Sequence, residues 1–135
     1  MKAQSFAEIM MIENEISYDI RGAAFKVHSC VGPGLLESAY EAALSYELAN
    51  MGYDVKTQVG LPFVYEDIKL DVGYRIDILV DDLVIVEIKS VETLTDVHHK
   101  QLLTYLKLSG KKLGLLINFN VSSLKEGIVR IVNNL

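Results

Sequence analysis

The sequence predicts an α/β fold in which a mixed central β-sheet is flanked by α-helices. Apolar residues recur at three- and four-residue steps over residues 7–30 and 36–51, which is typical of amphipathic helices. The period changes to two over residues 74–80 and 83–89, which is typical of strands. A helical pattern then precedes the short apolar run 113–118. This strand, helix, strand order implies a crossover to a parallel neighbour, so the sheet is expected to be mixed.

The first two helices are separated by the Gly-Pro-Gly sequence of residues 32–34, which breaks helical structure. Gly52 is the expected C-terminal stop of the second helix. Glu37 falls in the first turn of that helix, where the helix dipole favours negative charge. Two runs with strand character, residues 55–59 and 61–65, come before the longer strands.

A third helix is expected to begin at Thr95 or Asp96, either of which can cap it. Its apolar positions are predicted to pack on the sheet and are Val97, Leu102, Leu103 and Leu106. Residues 122–126 are expected to form a helical turn before the last apolar run, residues 128–132.

Residues 74–80 and 83–89 are predicted to be the two arms of one β-hairpin. Their apolar side chains are expected on one face: Ile76, Ile78, Val80, Val84, Val86 and Ile88. Asp77, Glu87 and Lys89 then fall together on the other face. Two carboxylates that approach each other repel, so this arrangement favours a bound divalent cation.

The apolar pattern also predicts the connection between the two arms. A two-residue turn would pair Asp77 with Val86 and direct it away from Glu87. A three-residue loop of residues 80–82 restores the match of the apolar faces, with Asp82 in the left-handed conformation. Asp77 would then lie diagonal to Glu87, about 7–8 Å away at the backbone, a distance that carboxylates on one metal can span.

The length of 135 residues and the hydrophobic content of 50% indicate one globular domain over residues 1–135, with an N-terminal helix (about 1–30) and a core (31–135). No apolar run is long enough to span a bilayer, and residues 1–5 lack the features of a signal peptide. We therefore expect a cytoplasmic protein with no membrane partner. Cys30 has no second cysteine to pair with and is expected to be a small core residue.

The charge distribution bears on nucleic-acid binding. The net charge of −5 counts against a general affinity for phosphates. However, residues 98–135 carry six basic side chains and one acidic one, a net charge of +5, whereas residues 1–97 carry −10. The asymmetry allows a basic patch on one face, and solvated lysines explain it equally well.

With Glu37 on a helix and three charged residues on two strands, the chain resembles the PD-(D/E)XK nuclease superfamily, whose core is a helix, a β-meander, a helix and a strand. More narrowly, the sequence GLLESAY of residues 34–40 is similar to the signature of the GxxExxY protein family, a branch of that superfamily. Other segments similar to that family are AAFKVH at 23–28, QLLTYL at 101–106 and LGLLINF at 113–119. The resemblance covers residues 16–135 and implies a restriction-endonuclease-like fold.

The resemblance implies an active-site set. Asp77 matches the aspartate of the superfamily's Pro-Asp pair, with Ile76 in place of the proline, and Glu87 matches the first residue of Glu-x-Lys. These two carboxylates would hold Mg²⁺ or Mn²⁺, with the backbone carbonyl of Ile88 as a further ligand. Lys89 would steer the attacking water.

Two helices would complete that site. Glu37 would be the carboxylate added by the first core helix. Gln101 resembles the glutamine that RecB-like nucleases place near the active site, and Tyr105 lies one turn further along. The implied substrate is nucleic acid, DNA or RNA, and hydrolysis of its phosphodiesters suits these residues because hard cations prefer oxygen ligands.

Simpler interpretations remain open. An exposed sheet face often carries such charges, and Arg75 could be an ion-pair partner for Glu87. His98 and His99 are adjacent on a helix and diverge by about 100°, so they do not converge on one ion. The alternative function is a non-catalytic nuclease-fold module for binding or assembly, of which a homo-oligomer is one form.

Overall fold

The computed structural model describes residues 6–133. Its helices are α1 (Phe6–Val31), α2 (Glu37–Asn50) and α3 (Asp96–Ser109). Its strands are β1 (Val55–Gly60), β2 (Phe63–Tyr65), β3 (Ile68–Leu70), β4 (Arg75–Val80), β5 (Val84–Lys89), β6 (Leu113–Asn118) and β7 (Ile128–Val132). A 3-10 turn, Leu124–Gly127, precedes β7.

Five strands form one sheet in the order β1-β4-β5-β6-β7. β5 and β6 are parallel and are connected through α3, while the other neighbours are antiparallel. The predicted mixed sheet is therefore confirmed. β2 and β3 pair separately as a small hairpin, and β3 is missing from the sequence prediction because three residues are too few to display a period.

The sheet lies between two helical layers. On one face of the sheet, α1 and α2 pack against apolar side chains of β4, β5, β6 and β7 and of residues next to these strands. This cluster includes Leu44, Ile78, Val86 and Leu115. On the other face, α3 packs through Leu102, Tyr105 and Leu106. Full burial of each such side chain contributes roughly 1.5–3 kcal/mol. The predicted α/β fold with flanking helices is confirmed.

The hairpin between β4 and β5 has the predicted odd-length loop, but at a different position. Val80 pairs with Val84, so the loop consists of residues 81–83 and not of 80–82. Asp82 adopts the left-handed conformation that was expected of it, with φ at 56°. Aspartate tolerates this conformation because its short polar side chain can hydrogen-bond locally.

This shift also changes the relation of the two predicted metal ligands. Ile78 pairs with Val86, and the same register continued by one residue sets Asp77 opposite Glu87. The predicted diagonal arrangement is therefore wrong by two residues of register. Both registers keep the apolar faces matched, so the hydrophobic pattern alone cannot distinguish them.

Strand β4 changes face at Asp77. Ile78 packs with α1 and α2, but Ile76 packs on the opposite side of the sheet, with α3. The prediction that Ile76 and Ile78 share a face is therefore wrong. The neighbouring strand β1 changes face as well, because Val55 packs against the first cluster and Val59 against the second.

Two smaller predictions about burial are also wrong. Cys30 is exposed, because it lies in the last turn of α1, beyond Val27, the last buried residue of that helix. Val97 leaves 72% of its surface exposed, although the helical pattern placed it against the sheet. It lies five residues before the buried Leu102, about 140° around the helix, and therefore points away from the buried face of α3.

Within residues 6–133, no helix is both long and apolar enough to cross a membrane. Residues 1–5, on which the prediction about a signal peptide depends, lie outside the described residues.

Candidate metal centre

The hydrogen-bond ladder between β4 and β5 opens at Asp77 and Glu87. Here carboxylates, instead of main-chain carbonyls, accept the backbone hydrogen bonds. The N–H of Asp77 donates to Oε1 of Glu87 at 3.1 Å, and the N–H of Ile88 donates to Oδ2 of Asp77 at 2.8 Å. Each carboxylate thus reaches the opposite strand, and the two groups meet in the gap between the strands.

The electrostatics of this pair are unfavourable without a cation. Glu87 is 3% exposed. Burial first, and then the negative charge of Asp77, raise the pKa of Glu87 to about 8, whereas the nearby Lys89 acts in the opposite direction. Among the described residues, neither carboxylate forms an ion pair, and Arg75 instead approaches Asp71 at 3.6 Å. Arg75 is therefore not the ion-pair partner that a purely structural Glu87 would need.

Lys89 lies beside Glu87 and is held from α3. Its Nζ donates to Oε1 of Gln101 at 3.2 Å, and Nε2 of Gln101 donates to the hydroxyl of Tyr105 at the same distance. Burial first, and then the charge of Glu87, raise the pKa of Tyr105, so the phenol keeps its proton. The structure thus connects Lys89, Gln101 and Tyr105 in one chain of hydrogen bonds.

The N-terminal turn of α2 borders the site from the other side. A cavity of about 120 Å³ is lined by Glu37, Ser38, Glu41, Gln58, Asp77 and Ile88. Glu37 is exposed at its rim, and its Oε2 accepts a long hydrogen bond of 3.4 Å from the N–H of Ser90. The structure therefore brings Glu37 to the cavity but does not bring it into hydrogen-bond contact with Asp77 or Glu87.

Tyr40, three residues after Glu37, has a structural role at the start of α2. Its hydroxyl donates to the carbonyl of Gly32 at 2.6 Å and accepts from the N–H of Leu35 at 3.1 Å. Its fully buried ring stacks on Phe119 with 4.4 Å between the ring centroids. Tyr40 thus stabilises the loop that precedes α2 and fixes the position at which the helix begins, Glu37.

Sequence reasoning missed two residues of the site, Gln58 on β1 and Glu41 on α2. Nε2 of Gln58 donates to Oε1 of Glu41 at 2.6 Å and to Oδ1 of Asp77 at 3.3 Å. Glu41 lies one helical turn after Glu37, so the i, i+4 spacing of two acids on α2 was a usable signal. Nothing in the sequence around Gln58 marks it.

His98 and His99 each hydrogen-bond the backbone of Thr95, the residue that precedes α3. The N–H of Thr95 donates to Nδ1 of His98 at 3.0 Å, and Nδ1 of His99 lies 2.9 Å from the carbonyl of Thr95. Both rings are therefore engaged with the start of α3.

The donor set decides whether a metal fits. Within residues 6–133, no three His, Cys, Asp or Glu side chains stand close enough to hold an ion by themselves. Asp77 and Glu87 still provide two carboxylates, and Ile88 lies beside them. Mg²⁺ keeps several waters and needs only one or two carboxylates from the protein. The residues present therefore fit a hard divalent cation.

A mixed five-stranded sheet between helical layers, with two carboxylates and a lysine where two strands part, is consistent with the restriction-endonuclease-like class of folds. A family model described as PD-(D/E)XK nuclease superfamily matches residues 14–131, and the chain belongs to this superfamily. Neither a curated protein nor a solved structure matches the chain. Members of the superfamily typically depend on divalent metals, and the narrower GxxExxY assignment stays a resemblance.

Proposed function

We propose that the chain is a nuclease that hydrolyses phosphodiester bonds of DNA or RNA with Mg²⁺, for which Mn²⁺ can substitute. The observation that carries the proposal is the opening between β4 and β5, where Asp77 and Glu87 meet beside Lys89. In a structural salt-bridge cluster Lys89 would pair with these carboxylates, but its Nζ donates to Gln101 instead, and neither carboxylate belongs to an ion pair among the described residues.

Asp77, Glu87 and the carbonyl of Ile88 are the groups that would hold the metal. When bound, such an ion polarises a phosphoryl oxygen and lowers the pKa of a coordinated water. The two carboxylates are already fixed by backbone N–H groups, so little rearrangement of the protein is required.

Lys89 is the group proposed to orient the attacking water and to stabilise charge that develops on the phosphate. Gln101 would keep the ammonium group on the side of Glu87, because its amide oxygen accepts from Nζ. Glu37 would act from the rim of the cavity, as a carboxylate that contacts the metal through water or on closure around substrate.

The metal is tested by calorimetric titration with Mn²⁺. The parent protein is expected to bind one ion, and Asp77→Ala is expected to weaken binding by more than about 100-fold, since even groups that only support metal ligands contribute 10–100-fold. Asp67→Ala, an exposed aspartate in the turn of the β2–β3 hairpin, is the matched control and should bind like the parent. Equal binding by all three proteins would show that Asp77 does not hold the metal and would contradict the proposed site.

The chemistry is tested with single- and double-stranded DNA and RNA in the presence of Mn²⁺. We expect cleavage by the parent and loss of cleavage in Lys89→Ala, whereas Lys100→Ala, an exposed lysine of α3, should cleave normally. Products that persist unchanged in Lys89→Ala would indicate a contaminating nuclease.

The alternative function, a binding or assembly module that keeps the nuclease fold, predicts a different pair of results. Mn²⁺ would bind, but none of the four substrates would be cut. The net charge of −5 is the observation that favours this outcome, because it opposes the approach of phosphates. The cytoplasmic location and a homo-oligomeric state stay predictions.

A further inference from the structure

Gln58 interrupts an otherwise regular strand pairing. β1 pairs with β4 in one register on both sides of it, from Val55 to Thr57 and from Val59 to Gly60. Gln58 itself has φ at 50°, in the left-handed region. A glutamine rarely adopts this conformation, and it persists only where surrounding contacts compensate for it.

The side chain of Gln58 supplies those contacts. Its amide nitrogen lies between two carboxylates, 2.6 Å from Oε1 of Glu41 and 3.3 Å from Oδ1 of Asp77. Carboxylate oxygens accept hydrogen bonds, so the group between them must be the donating end of the amide. The side chain is exposed and does not belong to either apolar cluster, so packing does not explain its conformation.

Both oxygens of Asp77 are consequently engaged. Gln58 donates to Oδ1, and the N–H of Ile88 donates to Oδ2. A carboxylate held at both oxygens has a fixed rotation about its side-chain bonds. β1, the strand opposite Asp77, changes face near Gln58. Val55, before it, packs against the first apolar cluster, and Val59, after it, packs against the second.

We propose that Gln58 is a positioning residue that orients the carboxylate of Asp77, and that Glu41 anchors the Gln58 amide as a hydrogen-bond acceptor. Glu41 thus acts through Gln58 and is not itself a metal ligand. The left-handed backbone at Gln58 directs the amide toward Asp77, which a regular strand conformation would not do. The consequence for metal binding rests on the proposed function, whereas the orientation of Asp77 does not.

The first readout needs no metal. It is the hydrogen-exchange rate of the Ile88 amide, which the Asp77 carboxylate protects. Gln58→Ala is expected to accelerate this exchange about tenfold, the effect of losing one hydrogen bond to a charged group. Thr57→Ala, on the same strand, is the matched control and should leave the rate unchanged. An unchanged rate in Gln58→Ala would overturn the proposal.

The second readout is Mn²⁺ affinity. Gln58→Ala and Gln58→Gly should both weaken it about tenfold through the loss of one charge-assisted hydrogen bond. Gln58→Gly should also unfold at a temperature no lower than Gln58→Ala, because glycine adopts a positive φ without strain. A loss of affinity in Gln58→Ala that Gln58→Gly restores would show that the backbone, and not the amide, matters, which would overturn the proposal.

Glu41 is tested by two substitutions. Glu41→Gln keeps an acceptor for the Gln58 amide, so Mn²⁺ affinity and Ile88 exchange should stay within about twofold of the parent, as expected when a hydrogen bond is retained. Glu41→Ala should behave like Gln58→Ala, and the double variant should be no worse than either. Equal loss in Glu41→Gln and Glu41→Ala would mean that the charge of Glu41 is required and would overturn its anchoring role.

These readouts separate the two proposals. If the parent protein does not bind Mn²⁺, the proposed function fails, and the exchange rate of the Ile88 amide still decides whether Gln58 orients Asp77.

Discussion

The two halves of the central sheet are built differently. From β5 to β7 the ladders are continuous: β5 and β6 pair at six successive positions from Val84 to Lys89, and every residue of β6 is buried. From β1 to β5 the ladders are interrupted at Gln58 and between Asp77 and Glu87, where side chains take over backbone hydrogen bonds. The part from β5 to β7, called the regular half below, provides stability. The part from β1 to the Asp77–Glu87 opening, called the interrupted half, provides polar groups.

The difference shows how one sheet can serve both purposes. Apolar side chains and complete ladders stabilise the fold, but they leave no polar group free to contact a ligand. An interruption exposes such groups and is unfavourable for the folded state. Substitutions in the regular half should therefore reduce stability, whereas some substitutions in the interrupted half should increase it.

The largest expected effect concerns Glu87 in the metal-free protein. Folding raises its pKa from 4.5 to about 8, so the folded state holds the proton more tightly than the unfolded state. The resulting stability is fully present below pH 4.5 and is lost as the pH rises to 8. Glu87→Gln should remove this loss and be more stable at pH 8 by roughly 3 kcal/mol or more, given about 1.4 kcal/mol per pKa unit.

Urea unfolding at pH 5 and pH 8, with a chelator present, measures this difference. Glu126→Gln, which removes an exposed carboxylate of the 3-10 turn, is the control and should follow the parent. If Glu87→Gln loses as much stability as the parent between pH 5 and pH 8, ionisation of Glu87 does not destabilise the folded state.

The next effect lies in the regular half. A Cβ at Gly127 would lie 2.3 Å from the backbone oxygen of Asn118, at the end of β6. Gly127→Ala must therefore displace backbone and should destabilise the protein by about 2–3 kcal/mol. Gly22→Ala in α1 is the matched control, since nothing lies within 4 Å of its Cβ and alanine favours helix. Equal midpoints of urea unfolding for the two variants would contradict the prediction.

A smaller effect is expected where α2 meets the interrupted half. Tyr40→Phe keeps the ring that stacks on Phe119 but removes the hydroxyl that bonds Gly32 and Leu35. The loss should be about 1–2 kcal/mol, and exchange of the Leu35 amide should accelerate. Tyr46→Phe, an exposed tyrosine of the same helix, should change neither quantity.

The smallest effect is expected at Val97, which periodicity wrongly placed against the sheet. Val97→Ser should change the free energy of unfolding by less than about 0.5 kcal/mol, as usual for an exposed position. Leu106→Ala, on the buried face of the same helix, should be far more damaging. A large loss in Val97→Ser would mean that α3 begins closer to the sheet than its exposure indicates.

The regular half could be predicted from the sequence because burial on both faces leaves a continuous apolar run in β6. The helices could be predicted from their three- and four-residue periods and from their ends, as at Gly52, which has φ at 94°. These features depend on local composition, which the sequence displays directly.

The interrupted half could be predicted only in part. The two-residue period of the hairpin indicated Asp77, Glu87 and Lys89 as candidates, and the resemblance to a nuclease superfamily added Glu37 and Gln101. Periodicity then misplaced Ile76, because a strand that changes face breaks the period on which the prediction depends. Gln58 could not be predicted for a different reason: its left-handed conformation is stabilised by Glu41 and Asp77, which are distant in the chain, and not by its sequence neighbours.

Among residues 6–133, strand β1 is an edge strand of the sheet and has a hydrogen-bonded neighbour on one side only. Outer strands detach before central ones when a protein is warmed, because fewer bonds retain them. Gln58, the residue proposed to orient Asp77, thus lies in the strand that would separate first. The proposed nuclease activity would then decline at temperatures at which the helices and the remaining four strands are still intact.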